Sequence, residues 1–496
     1  MNESSNIKNK TISGMVWSFV QKFGTMGISF VTNIVLARLL TPSDYGTIGM
    51  LMIFVAVANT FVDGGFGSAL IQKKNPTKAD YSTIFWWNIF IAVVLYCILY
   101  FTAPIISNFY NLSLLTSVLR VQGLVLIFNA LSIIQQNQLR KRLEFKRLAA
   151  VTIISTILSA GISIALAFCG WGVWVLVAQQ LMLSVFNAII LWIIGKWSPT
   201  LEFSKESFQQ LFGFGGYILI SNLLNTLFGN IQGLLIGRFF SPVTLGYYSQ
   251  ARKLEDVSST SLSTIVDQVT YPVLAEFQDN LERVVVILKK LIRSIAFISI
   301  AIMMVLVILA YPIILFLYSD KWLPSVPYLQ ILCVAGIAIS LQRVHYSAVT
   351  SIGKSRDWFI WTLLKRSLGL LVIVIGMMVW DIKGLLWGCV VSSWIILIVN
   401  AYLTSKHFKY SLRTQFMDIL PIITITVIAY FLPLGIINIS NLNVILESII
   451  HCALFILLYI GMSHFFKIDA YLQMKDIILT QLKKMKGGKK TVHLTM

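Results

Sequence analysis

The amino-acid sequence predicts an all-α integral membrane protein with about fourteen transmembrane helices, arranged as two six-helix lobes in parallel repeat plus an extra C-terminal helix pair. Two observations predict this architecture, and the first is the composition. Of the 496 residues, 57% are hydrophobic and only 12% are charged, and the mean hydropathy is +0.81. A soluble chain of this length needs far more charge to cover its surface. The second observation is a segment that recurs in the other half of the chain.

The individual spans follow from hydropathy and length. A helix needs about 20 consecutive apolar residues to cross the hydrocarbon of a bilayer. By that measure the predicted spans are 11–37, 45–70, 79–102, 112–138, 148–168, 171–194, 207–236, 243–274, 291–316, 325–351, 357–380, 384–403, 416–435 and 443–466.

The recurring segment relates the two halves of the chain. The string VLARLLTPSDYG at 35–46 returns as LLIGRFFSPVTLG at 234–246, with its arginine, proline and final glycine conserved in position. Thr41 and Ser241 are favourable helix N-caps, and the proline that follows each suits the first helical position. Six spans separate the copies, so both halves enter the membrane in the same sense. In transporters built this way the substrate path lies between the halves.

This repeat sets the predicted domain boundaries. The loops between spans are short, so the sequence offers no extramembrane domain for separate chemistry. The predicted parts are an N-terminal six-helix lobe at 1–194, a cytoplasmic linker at 195–206, a C-terminal six-helix lobe at 207–403, an appended helix pair at 404–466 and a basic cytoplasmic tail at 467–496.

The distribution of basic residues predicts the orientation. If the amino terminus is cytoplasmic, the inner segments hold thirty of the 39 Lys and Arg residues and the outer loops hold four. Cytoplasmic loops carry such an excess, so both termini are predicted to be cytoplasmic. The net charge of +19 is then explained by anchoring at the inner face, without nucleic acid as a partner. The five cysteines are odd in number and lie in apolar surroundings, which argues against a disulfide framework or a metal site.

Polar residues recur on one face of several spans, in both halves of the chain. A charge near the bilayer centre costs about 2.5–3.5 kcal/mol on insertion scales, so these faces must meet one another or water. We predict a water-lined cavity between the lobes, with mutually satisfied polar helix contacts as the alternative. The candidate substrate contacts are Lys22, Asn33, Arg120, Asn222, Asn225, Arg252 and Arg343.

The charges in this predicted cavity are nearly balanced, five basic against four acidic. Arg252 and Lys253 have the helical spacing to pair with Asp256. The basic residues left without an obvious local partner suit a phosphate or an acidic sugar, unless they pair with acids across the lobe interface. Intramembrane carboxylates also carry protons or Na⁺ in transporters. The candidates for ion coupling are Asp63, Asp256 and Asp267.

Several strings carry a resemblance to a known family. The chain resembles the polysaccharide transporter family, the Wzx-type lipid-linked oligosaccharide flippases of the MATE-like MOP flippase superfamily. The match extends over most of the first 290 residues, and the last third is similar mainly in hydropathy. The strings are SGMVWSFVQKFGTMGISFVTNIVLARLLTPSDYG (13–46), DGGFGSALIQKKN (63–75), QNQLRKRLEFKRLA (136–149), LGYYSQARKLEDV (245–257) and YPVLAEFQDNLER (271–283).

The resemblance implies a MATE-like fold in the bacterial inner membrane. It implies alternating access that moves undecaprenyl-diphosphate-linked repeat units from the cytoplasmic to the outer leaflet, for lipopolysaccharide O-antigen, capsule or exopolysaccharide. It further implies head-group contacts at Lys22, Arg120, Arg252 and Arg343, and coupling to H⁺ or Na⁺ with no other cofactor. The appended pair at 416–466 is expected to meet lipid or a partner such as the polysaccharide polymerase machinery.

Two other classes of protein compete with this hypothesis. An ion-coupled MATE-type multidrug exporter shares the architecture, but favours a cavity dominated by carboxylates, which Lys22 and Arg343 fit poorly. A membrane-bound polymerase or ligase commonly needs a large outer loop with reactive groups. The sequence has no such loop and no nucleophile–base set, so we do not expect an enzyme.

Overall fold

The computed structural model describes residues 2–195, 197–276, 280–352, 355–437 and 443–488, which are almost entirely helical, as predicted. A short 3₁₀ helix spans Asp320–Ser325. The α-helices are α1 (Asn2–Leu39), α2 (Pro42–Asp63), α3 (Phe66–Gln72), α4 (Lys78–Tyr110), α5 (Leu114–Gln122), α6 (Val125–Lys141), α7 (Phe145–Phe168), α8 (Val173–Ile194), α9 (Lys205–Phe239), α10 (Pro242–Glu276), α11 (Leu281–Ile308), α12 (Ala310–Tyr318), α13 (Val326–Ser351), α14 (Ser355–His407), α15 (Leu412–Ile437), α16 (Val444–Phe465) and α17 (Asp469–Gly488).

Within the described residues, 12 helical segments are long and apolar enough to cross a membrane. The predicted total of about fourteen is therefore not confirmed. The two counts differ at two places. The predicted span at 243–274 is a helix, α10, but its many polar residues keep it out of the apolar set. The predicted spans at 357–380 and 384–403 both fall within α14.

Helix α14 is a helical hairpin rather than one straight rod. Its backbone leaves helical geometry at Trp380 and at Asp381, where φ is 50°. Beyond this break the second arm of α14 packs directly against the first. The two backbones are so close that a Cβ on Gly376 would overlap the carbonyl oxygen of Gly384. Small residues permit such close approach of two helices inside a membrane. The break accounts for the two predicted spans within one helix.

The chain divides into two compact units, Met1–Ser249 and Gln250–Met496. The division falls inside α10, so the first unit contains α1–α9 and the first two turns of α10. In the first unit α1 packs on α7, α7 on α8, and α2 on α9. In the second unit α13 packs on α14 and on α11, and α15 packs on α16. The lobe boundaries predicted from the repeat stay a prediction.

The two copies of the repeated segment meet in the first unit. Thr41 caps α2 with a reciprocal capping box to Asp44, and Ser241 accepts a hydrogen bond of 3.1 Å from the backbone N–H of Thr244 at the start of α10. The repeated N-cap prediction is thus confirmed.

The glycine that ends each copy lies against the proline that begins the other. A Cβ on Gly46 would overlap the carbonyl oxygen of Pro242, and a Cβ on Gly246 would overlap that of Pro42. The contact is therefore reciprocal, backbone against backbone. Only glycine permits this approach, which explains why both copies retain it.

The glycine cluster at 63–67 interrupts the second span. Gly64 and Gly65 adopt positive φ values of 58° and 70°, which end α2 and let the chain turn into the short α3. A Cβ on Gly65 would lie 2.5 Å from the carbonyl oxygen of Gly215 on α9. These glycines therefore permit both the bend and the close packing of α3 against α9.

Candidate functional site

The first unit presents a polar surface made of α2, α6 and α9. Asn129 donates a 2.8 Å hydrogen bond to Asn59, which joins α6 to α2. Thr60 and Thr226 share a 3.0 Å hydrogen bond that joins α2 to α9. These bonds satisfy polar groups in the middle of apolar helices, where an unsatisfied group is costly.

Asp63 lies one turn beyond this polar pair, at the last residue of α2. Its side chain is exposed, and the chain breaks directly after it at Gly64. The Arg140 guanidinium on α6 is close enough to act on its charge. Helix breaks that expose backbone carbonyls beside an acid are a recurring setting for ion sites in transporters. The position suits the predicted ion-coupling role, which stays a prediction.

Four predicted substrate contacts of the first unit lie on two helices. Lys22 is exposed and Asn33 is buried on α1, whereas Asn222 and Asn225 are both exposed on α9. The side chains of Lys22, Asn222 and Asn225 are therefore accessible, and their contact with substrate stays a prediction. The buried Asn33 suits a packing role between helices better than a ligand contact.

Arg120 on α5 has a local partner that the sequence does not reveal. Its guanidinium lies 4.3 Å from the centroid of the Tyr100 ring, and its Nε donates a 3.3 Å hydrogen bond to the Tyr100 carbonyl. Stacking and hydrogen bonding on α4 hold this charge in place. Arg120 is thus engaged locally, contrary to the sequence expectation of a base without a local partner.

In the second unit, Arg252 on α10 bridges two neighbouring acids. Its Nε lies 3.1 Å from Asp256, as the predicted spacing of four residues requires, and an amino nitrogen lies 3.4 Å from Glu255. The side chain of Asp256 is 49% exposed, whereas that of Glu255 is fully buried. Arg252 therefore lies between an exposed acid and an enclosed one.

Glu255 is one of the four acids of the predicted cavity but is not among the candidates for ion coupling. Its position follows the buried face of α10, in register with Leu262 and Val266. A carboxylate on the apolar face of a helix is the signal that could have singled it out. The sequence prediction favoured Asp256, because that residue continues the polar stripe from Arg252.

The remaining predicted residues of the second unit are Asp267 and Arg343. Asp267 belongs to α10, and its side chain lies outside the described residues. Arg343 is exposed on α13. Two residues further on, His345 is buried and shares a 2.9 Å hydrogen bond with Thr404.

A buried lysine joins the two arms of the α14 hairpin. Lys365 donates a 2.5 Å hydrogen bond to Asn400, and Thr404 donates to the carbonyl of Asn400 at 3.0 Å. With His345 these residues form a continuous polar network between α13 and α14. Among the described residues, no group of three or more His, Cys, Asp and Glu side chains is arranged to hold a metal ion.

The fold and the buried charges define a class of protein, a multi-pass helical membrane protein of the transporter type. The chain belongs to the polysaccharide biosynthesis protein family, whose model matches residues 35–327, more than half of the chain. The resemblance drawn from the sequence is thereby confirmed.

Curated relatives cover most of the chain. The teichuronic acid biosynthesis protein TuaB of Bacillus subtilis is 26% identical over 85% of this chain and 88% of its own length. The lipopolysaccharide biosynthesis protein WzxC of Escherichia coli is 23% identical over 83% and 84%, respectively. The succinoglycan biosynthesis transport protein ExoT of Rhizobium meliloti is 23% identical over 78% and 79%.

Solved structures confirm the MATE-like fold. The lipid II flippase MurJ, in an inward closed conformation, superposes with a TM-score of 0.70 at 15% identity, covering 92% of this chain and 99% of that one. An inward-facing MATE multidrug transporter gives 0.61 at 16% identity, covering 79% and 98%. At such low sequence identity these structural similarities show the fold alone. The sequence relatives are polysaccharide proteins, which favours the flippase hypothesis over the multidrug exporter and over an enzyme.

Proposed function

We propose that this protein flips undecaprenyl-diphosphate-linked oligosaccharide repeat units from the cytoplasmic to the outer leaflet of the bacterial inner membrane. The polymer served is lipopolysaccharide O-antigen, capsule or exopolysaccharide. Both termini lie in the cytoplasm, and the polysaccharide polymerase machinery takes over the flipped unit. The observation that carries the proposal is the membership of a polysaccharide biosynthesis family combined with a MurJ-like fold.

The polar surfaces of each unit support a path for a charged and hydroxylated head group. In the first unit Lys22, Asn222 and Asn225 are exposed on membrane-spanning helices. Amide side chains donate and accept hydrogen bonds, so they match sugar hydroxyls, and a lysine attracts the diphosphate. In the second unit Arg252 and Arg343 supply guanidinium groups, which bind phosphate oxygens in a bidentate manner.

The reciprocal glycine contact supports an alternating-access mechanism. Packing of Gly46 and Gly246 against the other copy's proline holds the first turns of α2 and α10 together. By the predicted orientation this contact lies at the outer face. Separation of the two copies would open a path toward the outer leaflet, and their closure would leave only the inner side open.

The proposal is tested in a cell in which this gene is the only source of flippase for one polymer. Loss of the protein should accumulate undecaprenyl-diphosphate-linked repeat units on the cytoplasmic side and abolish the surface polymer. A Lys22→Ala/Arg343→Ala double variant should behave like the loss, at normal protein level. The matched control is Lys406→Ala, which removes an exposed basic residue at the cytoplasmic end of α14.

Two results would contradict the proposal. Full polymer output from the double variant would refute the head-group assignment while leaving flipping itself intact. Normal polymer output without the protein, together with protection against cationic dyes when it is overproduced, would replace the flippase by the multidrug exporter.

A further inference from the structure

Glu255 is enclosed between helices of the second unit. One of its carboxylate oxygens accepts a hydrogen bond from Ser259, and the same oxygen lies 2.5 Å from where a Cβ on Gly336 would be. The absent side chain of Gly336 on α13 therefore makes the space that the carboxylate occupies. Met303 of α11 closes the same space with its thioether.

The second carboxylate oxygen of Glu255 is buried and accepts no hydrogen bond from any described residue. Arg252 approaches it to 3.4 Å, an ion-pair distance without hydrogen-bond geometry. A buried polar atom left in this way usually has a functional reason. The charged or titratable groups that face Glu255 in the described part are Arg252 and Asp256 on its own helix and the Cys333 thiol on α13.

The geometry points to Glu255 as the proton-binding group of this transporter, with Arg252 as the link between proton and substrate. The inference rests on the proposed function, because it assigns Arg252 to the diphosphate of the lipid-linked sugar. Arg252 now divides its charge between the buried Glu255 and the exposed Asp256. A diphosphate on the exposed side would draw the guanidinium away from Glu255, since charge-assisted bidentate pairs to phosphate are strong.

The sign of the coupling follows from this competition. When Arg252 moves to the diphosphate, an ionised Glu255 loses its nearest positive charge in an enclosed site, so proton uptake becomes more favourable. By reciprocity, a proton on Glu255 frees Arg252 and strengthens substrate binding. Proton and anionic head group should therefore bind together, and low pH should tighten binding.

A proton suits the pocket better than a metal cation. Hard cations take several oxygen ligands, commonly six or more for Ca²⁺ and Mg²⁺. Among the described side chains, those around Glu255 offer the Asp256 carboxylate, one hydroxyl, one thioether and one thiol, which supply fewer oxygen ligands than such a cation takes. A proton needs a single oxygen, and the oxygen of Glu255 that accepts no hydrogen bond is available for it.

The first test is infrared spectroscopy of the full-length protein in liposomes without substrate, across a pH titration. The wild type should show the carbonyl band of a buried protonated carboxyl group rising as the pH falls. Glu255→Gln should lose this band, whereas Asp256→Asn should keep it. Asp256 is the matched control because it pairs with the same arginine and is exposed. A band that persists in Glu255→Gln, or is absent from the wild type, overturns the assignment.

The second test is the affinity for undecaprenyl diphosphate, used as the probe, followed by intrinsic tryptophan fluorescence. We expect the wild type to bind about fivefold or more tightly at pH ~5.5 than at pH ~7.5, and Glu255→Gln to lose most of this dependence and bind tightly throughout. Titration of the phosphate itself is common to all variants, so it is the pH dependence that remains in Glu255→Gln, whereas Asp256→Asn should keep the wild-type dependence. Equal pH dependence in Glu255→Gln and Asp256→Asn overturns the coupling.

The two tests separate this inference from the proposed function. If the infrared band behaves as expected but no lipid-linked sugar is flipped, the proton site stands and the flippase proposal fails. If flipping is observed with unchanged pH dependence in Glu255→Gln, the flippase proposal stands and the proton site fails.

Discussion

The two units satisfy their intramembrane polar groups by different means. In the first unit neutral hydrogen bonds such as Asn59–Asn129 at 2.8 Å join the spans, and charged contacts between helices, such as Arg120 on Tyr100, go to an aromatic ring and a carbonyl rather than to an acid. Its ion pairs Lys73–Asp80 and Arg147–Glu144 lie at helix ends. The second unit also has neutral contacts between helices, such as Gln342 with the Ser393 carbonyl, but it adds the pairing of a base with a buried acid, Arg252 with Glu255 within α10.

This difference separates a rigid part from a responsive part. Neutral hydrogen bonds between amides and hydroxyls do not change with pH or with the arrival of an anion. Charged contacts in an enclosed site respond strongly to both, because Coulomb energies are large where water is excluded. We therefore expect the second unit to respond to proton and substrate more strongly than the first unit does.

The largest effect is expected from the packing of the repeated segments. Gly46→Ala places a methyl group on the carbonyl oxygen of Pro242, where the backbone must move to make room. Overpacking costs about 1–3 kcal/mol and occasionally more, and backbone against backbone lies at the upper end. Thermal unfolding in detergent and flipping in liposomes should both show a severe loss.

The control for this substitution is Gly229→Ala on α9, where nothing lies within 4 Å of an added Cβ. It should retain stability and transport. Equal behaviour of the two variants would show that the reciprocal contact does not hold the helices together.

The next largest effect is expected on substrate affinity when the charge of Arg252 in the second unit is removed. Arg252→Gln removes the proposed diphosphate contact and leaves Glu255 buried without its cation. Loss of a charge-assisted hydrogen bond of about 1.5–3 kcal/mol corresponds to roughly a ten- to hundredfold loss in substrate affinity. Adding Glu255→Gln should restore the stability but not the affinity. Recovery of both would remove Arg252 from the substrate site.

An effect of intermediate size concerns the C-terminal helices of the second unit. Arg293 on α11 pairs with Asp418 on α15 at 2.5 Å and with Asp469 at the start of α17. Burial and the hydrogen bond to Asp418 raise the pKa of Tyr410, so its hydroxyl stays a donor to that acid. These contacts fix α15 and α17 to α11.

Arg293→Ala should release this attachment. Breaking a buried ion pair costs about 3–5 kcal/mol, and we expect about 2 kcal/mol because the Arg293 side chain is 27% exposed. Limited proteolysis should cut the α16–α17 connection faster, with transport only slightly reduced. Lys290→Ala, an exposed neighbour on α11, is the control. Unchanged proteolysis would show that the apolar contacts alone hold α17.

The smallest effect is expected at the neutral pair of the first unit. A double-mutant cycle of Asn59→Ala and Asn129→Ala should give a coupling energy of about 0.6 kcal/mol, typical of hydrogen bonds between membrane helices. The pH dependence of binding should not change in any member of the cycle. A change in the pH dependence of binding would contradict the claim that the second unit responds to pH more strongly than the first unit does.

Much of the fold follows from the sequence, because hydropathy and the repeat are strong signals. Arg38, Pro42 and Gly46 have their counterparts at the predicted offset, and the repeated segments are in contact. The sequence also predicts the two arms of the α14 hairpin, because hydropathy gives separate spans at 357–380 and 384–403. The break at Gly64–Gly65 does not follow from hydropathy, which predicts one span at 45–70, and a glycine pair permits several backbone geometries.

The site was less accessible to sequence reasoning. Arg120 was predicted to face the substrate, but the Tyr100 ring that holds it lies 20 residues away on another helix. Glu255 and Asp256 are adjacent, and periodicity alone favoured the one that continues a polar stripe. Which of two neighbouring acids is enclosed depends on the glycine at position 336, a tertiary contact that no local pattern contains.

The most direct measurement of the central claim is flipping by the purified wild-type protein in proteoliposomes. A fluorescent undecaprenyl-diphosphate oligosaccharide is scored for its accessibility from each side of the membrane, with and without an imposed pH gradient. The account predicts protein-dependent exposure of the sugar on the opposite leaflet. Because proton and head group bind together, a gradient that is acidic on the side from which the lipid is loaded should accelerate this exposure, and the reverse gradient should slow it. The absence of protein-dependent movement with cognate sugar lipid, in vesicles where the same protein exports cationic dyes, would contradict it.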